Sequence, residues 1–438
     1  MEILVKIGQL LLSLSILVVL HEFGHFLFAR LFNTRVEKFY LFFNPWFSLF
    51  KKQIGETTYG IGWLPLGGYV KISGMIDESM DKEAMEQPPQ PWEFRAKPAW
   101  QRLLIMIGGV LVNFLLAIVI YIMILFTWGE EYLPVAKMEH GIIPDSTAML
   151  VGFKAGDRIL SVDNQPVEQF NALATTILLN NAKTVQIERN HQKQDIVIPE
   201  WLISRVIKNN DILFTPRFPF LIGDFETAPR DPINGLQKGD ILQAVDTFQT
   251  PYADLLSAAL GNYKGQTIDV QVYRNGELIT VKADVNEKGK LGIALDIAAV
   301  LPFSVKEYGL LESVPAGITK GFTTVSDYLK QLKLIFSPKT KAYESLGGFI
   351  TIGKIFPGTW NWQSFWKLTA FLSIMLGVLN LLPIPALDGG HVMFLLYEIV
   401  TRRKPSEKFL EFAQILGMLF LLGLVLYANG NDIVKLFR

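Results

Sequence analysis

Four stretches of the chain are nearly unbroken runs of apolar residues: Ile7 to Ala29, Leu103 to Trp128, Phe365 to Leu387 and Phe409 to Ala428. Each is long enough for a helix to cross the apolar layer of a bilayer, which takes about 20 residues. The first run is too long for a signal peptide and has no small-residue cleavage site after it, so it reads as a retained span. Between the second and third runs the pattern changes to short alternating segments broken by Gly, Asn and Asp, as in strand-rich soluble domains. The predicted plan is a membrane half over 1–128, a soluble insert over 129–300, a linker over 301–364 and a second membrane half over 365–438.

The insert repeats itself. Gly156-Asp157-Arg-Ile-Leu-Ser-Val162-Asp163 returns about 83 residues later as Gly239-Asp240-Ile-Leu-Gln-Ala-Val245-Asp246. Gly152-Phe153 and Gly235-Leu236 precede the two copies, and strand-like segments such as Thr184 to Glu188 and Thr267 to Tyr273 follow them. Two domains are therefore expected, over 129–210 and 211–300. Their short strands, two helices and G-D-x-I-L turn resemble the PDZ fold, which takes an extended peptide as an added strand beside a helix. The same turn also serves as a plain strand entry in other small β folds. In the linker, Val325 to Phe336 has helical spacing with Lys330 and Lys333 on one side, which predicts a helix on the outer membrane surface. Such a helix either gates entry to the membrane or only connects. Asp77 to Pro91 is acidic and proline-rich, hence an exposed loop.

Composition agrees with a membrane protein: of 438 residues, 50% are hydrophobic and only 19% charged. Lys and Arg number 41 and Asp and Glu 41, so no net basic field exists to hold nucleic acid. Cationic residues gather at particular flanks: Arg30, Arg35, Lys38, Lys51 and Lys52, then Arg95, Lys97 and Arg102, then Arg402, Arg403, Lys404 and Lys408. The positive-inside tendency puts these loops in the cytoplasm and both termini and the insert outside it. The absence of cysteine excludes disulfides and thiolate ligands, so a metal must be held by histidine, carboxylate or amide groups.

Only five histidines are available, and two stand in His21-Glu22-Phe23-Gly24-His25. On a helix, residues four apart share a face, so both imidazoles reach one tetrahedral zinc, and Glu22 is placed to take a proton from the attacking water. Ionisable residues in the middle of an apolar span are expensive unless paired or metal-bound, which marks the motif as functional. Two histidines leave the site incomplete. The third run ends Asn380-Leu-Leu-Pro383-Ile-Pro385-Ala-Leu-Asp388-Gly389-Gly390-His391, where the prolines break the helix and bring Asp388 within reach as third ligand. His391 competes for that place, although a helix cap or a position behind the ligands suits it better. His140 and His191, in the insert, are expected to be exposed.

These motifs together resemble the site-two protease family of intramembrane zinc metalloproteases, over essentially the whole chain. The resemblance implies that His21, His25 and Asp388 bind zinc, that Glu22 is the catalytic base and that Asn380 helps hold the substrate backbone. It also implies a membrane-reentrant β-hairpin at Tyr59 to Lys71, with Gly67, Gly68 and Tyr69 presenting a strand edge to substrate; a hairpin that merely packs on the bundle is the alternative. Gly108-Gly109-x-x-x-Asn113 resembles a further family motif; its small residues let helices approach closely and Asn113 can hydrogen-bond across the interface, with packing the preferred reading. The expected fold is thus a polytopic α-helical membrane protein with four transmembrane helices, a reentrant hairpin and two inserted α+β PDZ domains. The implied activity is regulated intramembrane proteolysis in a bacterial inner membrane, as in envelope stress responses, with the PDZ pair on the outer side. The implied partners are the bilayer, transmembrane segments of single-pass proteins, and peptide ligands of the PDZ domains. A non-catalytic PDZ scaffold and a transporter are the competing classes; the intact Glu22 argues against the first, and four spans without an inverted repeat against the second.

Overall fold

A computed structural model describes residues 1–65, 67–75, 88–226, 235–338 and 340–437; residues 77–87 of the acidic loop expected at Asp77 to Pro91 lie outside them. The chain forms two compact units, one of 1–129, 307–333 and 343–438, the other of 130–306 with 334–342.

The first unit begins with helix α1 (Glu2–Leu31), continues through strands β1 (Val36–Leu41), β2 (Phe50–Ile54), β3 (Thr57–Ile61) and β4 (Tyr69–Ile72), and enters helix α2 (Ala99–Trp128). The strands form one sheet in the order β2-β3-β1-β4. This corrects the hairpin expected at Tyr59 to Lys71: β3 and β4 do not pair with each other but flank β1, β3 parallel with Lys38 opposite Thr58, β4 antiparallel with Tyr40 opposite Tyr69. The tight hairpin is β2-β3, turning at Gly55, where φ is +58°. Alternation along a strand shows which face is buried but not which strand lies alongside, and the connection carrying Pro65 is too long for a two-residue turn.

The insert contains strands β5 (Glu130–Tyr132), β6 (Ile142–Pro144), β7 (Arg158–Val162), β8 (Gln165–Pro166), β9 (Thr184–Arg189), β10 (Gln192–Val197), β11 (Phe214–Pro216), β12 (Ile222–Phe225), β13 (Ile241–Val245), β14 (Phe248–Gln249), β15 (Thr267–Arg274), β16 (Glu277–Asp284), β17 (Ile293–Leu295) and β18 (Ser304–Lys306). Its helices are α3 (Ser146–Val151), α4 (Phe170–Leu179), α5 (Trp201–Asn209), α6 (Ala253–Leu260) and α7 (Ile297–Val300). Two four-stranded sheets, β10-β9-β7-β8 and β14-β13-β15-β16, have the same connectivity, and the pairs β11-β6 and β12-β17 repeat as well. Strands β5 and β18 pair, so the insert begins and ends at one place. Leu213 and Phe214 belong to the first hydrophobic core, which carries the first repeat past residue 210.

The repeated Gly-Asp motif proves to be architectural. Asp157 and Asp240 are each buried and held two-handed by an arginine of the third strand, Arg189 at 2.7 and 2.7 Å and Arg274 at 2.7 and 2.7 Å. Each arginine also reaches a turn carbonyl, Gly152 at 2.8 Å and Gly235 at 2.7 Å. The ion pair raises both guanidinium pKa values above their ordinary range. Asp240→Ala is expected to lower the stability of the second repeat by about 3 kcal/mol, because Arg274 keeps its charge and loses its partner. Pulse proteolysis of the intact protein, read by fragment size, measures this, and unchanged cleavage within residues 211–300 would contradict it. His191 is exposed as expected, its side chain 98% accessible, but His140 is half-buried, 5.2 Å from the Tyr252 ring. Arg217 covers the same ring at 4.0 Å and pairs with Asp254 at 3.2 Å, tying the repeats together.

The first unit resumes with helices α8 (Leu310–Ile335), α9 (Phe349–Ile355), α10 (Trp362–Asn380), α11 (Asp388–Thr401) and α12 (Glu407–Leu436). Among the described residues three helices are long and apolar enough to cross a membrane: Glu2–Leu31, Ala99–Trp128 and Lys408–Lys435. The run expected as one span from Phe365 to Leu387 is divided, since α10 stops at Asn380 and the chain turns through Pro383, Pro385 and Ala386 before α11 begins at Asp388. Helix α8 meets the second half of α2 at two points one turn apart, Gly317 on Ile122 and Gly321 on Ile118, in antiparallel order. Glycines one turn apart make a smooth stripe that lets helices approach closely.

Polar contacts fix the bundle. Ser13 Oγ lies 3.0 Å from Thr369 Oγ1 and His21 Nε2 lies 3.2 Å from Asn380 Nδ2, so α10 runs parallel to α1, and Ser373 Oγ donates to Asn113 O of α2 at 2.7 Å. Gln9 Nε2 donates to Pro357 O at 2.8 Å, and Thr351 N to Asp432 Oδ2 at 2.9 Å, which puts the start of α1 and the end of α12 at one end of the bundle. Leu416, Leu419 and Phe420 of α12 stand exposed, as suits contact with lipid.

Candidate metal centre and active site

Helix α1 carries His21 and His25 on one face because they are one turn apart. The same face crosses α2 where Gly24 meets Gly108, backbone against backbone; a Cβ on either would strike the other's carbonyl. The next residue of α2, Gly109, faces the imidazoles, and a Cβ there would meet His25 Nε2 and His21 Cε1. Of the two glycines, Gly108 allows the crossing and Gly109 leaves room for the rings. Gly109→Ala is therefore expected to weaken zinc binding at least about tenfold through overpacking, measured by competition with a chromogenic chelator; zinc held as tightly as in the wild type would rule out this role.

The break between α10 and α11 brings Asp388 to the histidines across more than 360 positions of sequence. Its Oδ2 lies 3.2 Å from His21 Nε2 and 3.4 Å from His25 Nε2, and the two Nε2 atoms are 3.3 Å apart. Ligand atoms about 2.0–2.1 Å from a tetrahedral zinc stand about 3.3 Å from one another, so the triangle has the dimensions of a three-ligand site. Asp388 Oδ2 is buried without a hydrogen-bond partner, and both histidines are buried. Two imidazole nitrogens and a carboxylate oxygen are a donor set that suits zinc. The residues fit the ion. His391, three residues beyond Asp388 on α11, is not part of the triangle.

The far nitrogens of the rings are also engaged. His25 Nδ1 donates to Ile105 O at 2.9 Å, which leaves Nε2 with its lone pair toward the triangle. His21 Nδ1 lies 3.1 Å from the amide of Asn113, a fully buried residue whose Oδ1 otherwise has no partner. With Oδ1 turned to that nitrogen, Asn113 accepts Nδ1–H and frees Nε2 of His21 in the same way. The sequence expectation for Asn113 is helix packing with a hydrogen bond across the interface open to it; the structure gives His21 as that partner. Asn380, expected near substrate, sits with Nδ2 3.2 Å from His21 Nε2.

A cavity of about 360 Å³ opens beside the triangle, lined by His21, Glu22, His25 and Asp388 on one side and by Gly68 to Ile72 on another. Strand β4 is an outer strand of its sheet, so one of its edges is not paired within the sheet. Gly68 lies against α1, where a Cβ would meet Tyr40 O and Val18 Cγ1 and come within 3.6 Å of Glu22 Cγ. Of the three residues expected to present the strand, Gly68 and Tyr69 line the cavity, whereas Gly67 lies outside it against the Phe43 ring, at a φ of +153°.

This arrangement agrees with what similarity to known proteins shows. The model of peptidase family M50 matches residues 9–424. The regulator of sigma E protease of Haemophilus influenzae is 28% identical over 462 aligned residues, covering 100% of both chains. Metalloprotease MmpA of Caulobacter vibrioides is 27% identical, with 98% of this chain and 96% of the relative covered. A protein of Rickettsia conorii named for zinc metalloprotease activity is 29% identical over 98% of each chain. The scaffold and transporter alternatives find no support in these likenesses. The chain belongs to peptidase family M50, the site-two protease family, and is a zinc metalloprotease.

Proposed function

We propose that the protein is an intramembrane endopeptidase that cuts transmembrane segments of single-pass membrane proteins, such as anti-sigma factors already trimmed outside the membrane or remnant signal peptides. The observation that carries this reading is the His21, His25 and Asp388 triangle among apolar helices, beside a cavity walled by an outer strand. The three residues hold zinc, which when bound polarises the scissile carbonyl and acidifies water. Glu22 takes the proton of the attacking water and returns it to the leaving nitrogen. A transmembrane helix conceals its amides in internal hydrogen bonds, so it must be unwound before cutting; the outer edge of β4, with Gly68 and Tyr69, takes the unwound chain as an added strand, and Asn380 holds its backbone.

In this reading α10 and the loop after it form the fourth span, with β1 to β4 dipping into the membrane. The two repeats of the insert are PDZ domains outside the cytoplasm that exclude substrates with bulky outer domains. A bacterial inner membrane is the compartment that suits this topology. The test uses purified protein in lipid with a tagged single-pass substrate. Cleavage inside the transmembrane segment, stopped by a zinc chelator and restored by zinc, is expected. A cut only in the soluble part of the substrate, or cleavage indifferent to the chelator, would refute the reading.

A further inference from the structure

A second cavity, of about 330 Å³, lies beside the first, between the end of β4, the start of α2, α11 and the start of α12. Its walls are mainly apolar, with Phe94, Phe394, Leu395 and Leu410. The charged groups in and beside it are largely neutralised in pairs, Arg102 with Glu398 at 2.5 Å and Arg95 with Glu93 at 2.6 Å. Met75, His391 and Gln414 line both cavities, so the two share a wall.

Gln414 is the informative member of that wall. It is 8% exposed on a helix whose neighbouring Phe412 and Leu416 are exposed and apolar. Its amide makes no hydrogen bond among the described residues. Its amide atoms are not closed off from the surrounding space: they stay accessible from the two cavities and can bind a polar group that enters them. One turn further on, Gly417 packs so closely on Pro385 O that no side chain fits between them, which holds Gln414 beside the loop carrying Asp388. A primary amide has a donor and an acceptor side by side, the complement of a peptide group.

We propose that the unwound substrate runs from the catalytic cavity past His391 and Gln414 into the second cavity, with the Gln414 amide bound to one of its peptide groups. The apolar walls then take a large apolar side chain of the substrate, making the second cavity a specificity subsite. This rests on the reading of the first cavity as the proteolytic site, and the experiment separates the two. A photoreactive phenylalanine is placed at Val70, which lines the first cavity and not the second, or at Phe394 or Leu410, which line the second and not the first. The full chain in membranes, carrying Glu22→Gln to retain substrate, is irradiated with the single-pass substrate. Crosslinks from all three positions are expected. In otherwise wild-type protein, Gln414→Leu should raise KM about tenfold while kcat changes less than twofold, and Gln414→Asn should recover part of the loss. Crosslinks from Val70 but from neither Phe394 nor Leu410 overturn the subsite and leave the proteolytic reading standing; crosslinks from no position overturn both.

Discussion

Replacement of Glu22 by Gln is expected to lower cleavage of a single-pass substrate by roughly 10²- to 10⁴-fold, the range that general acid–base groups contribute, while the protein keeps its zinc. The glutamine has nearly the same shape and can hydrogen-bond water, but it cannot accept a proton. Glu22 shares the cavity wall with His21, His25 and Asp388, and Gly68 brings the start of β4 against its side chain, so the replacement has the same packing to satisfy. Zinc content by mass spectrometry and cleavage by gel are measured on the same preparation. Loss of cleavage with zinc retained assigns the proton transfer to Glu22; cleavage within tenfold of wild type would take the role away from it.

Asp388→Ala is expected to lose zinc. If the roughly 10–16 kcal/mol of a structural zinc site is shared by four ligands, each supplies about 3 kcal/mol, or about 10²-fold in affinity. The substitution removes the oxygen that lies 3.2 and 3.4 Å from the two Nε2 atoms and leaves only two ligand atoms in the triangle. His391→Ala is the control, since His391 lines the cavity but stands outside the triangle. Zinc lost in the His391 variant and kept in the Asp388 variant would exchange their roles. Because Asp388 opens α11, helix content of both variants is compared by circular dichroism, so that metal loss is not confused with an unravelled helix.

Some of this was legible in particular residues. The HEFGH spacing put His21 and His25 on one helix face, and Pro383 with Pro385 announced the break that frees Asp388. The recurring Gly-Asp turn announced two like halves, although not that Asp157 and Asp240 are buried partners of arginines. The strand partners were hidden, because β1 takes neighbours on both edges and alternation is blind to which. Asn113 was hidden too, since only the crossing at Gly24 and Gly108 decides that its amide meets His21.

The sequence by itself therefore determined what depends on neighbours along the chain: helices long enough to cross a membrane, the spacing of the two histidines, the helix break, and the repeat. Local periodicity and proline chemistry suffice for these. The tertiary structure alone decided which groups from distant segments meet. The triangle closes between residues of opposite ends of the chain, the cavity is walled by β4, and α8 meets α2 at Gly317 and Gly321. Those contacts depend on how closely helices approach, which here is set by glycines whose missing Cβ atoms leave the space that the imidazoles, the loop carbonyls and a neighbouring helix occupy.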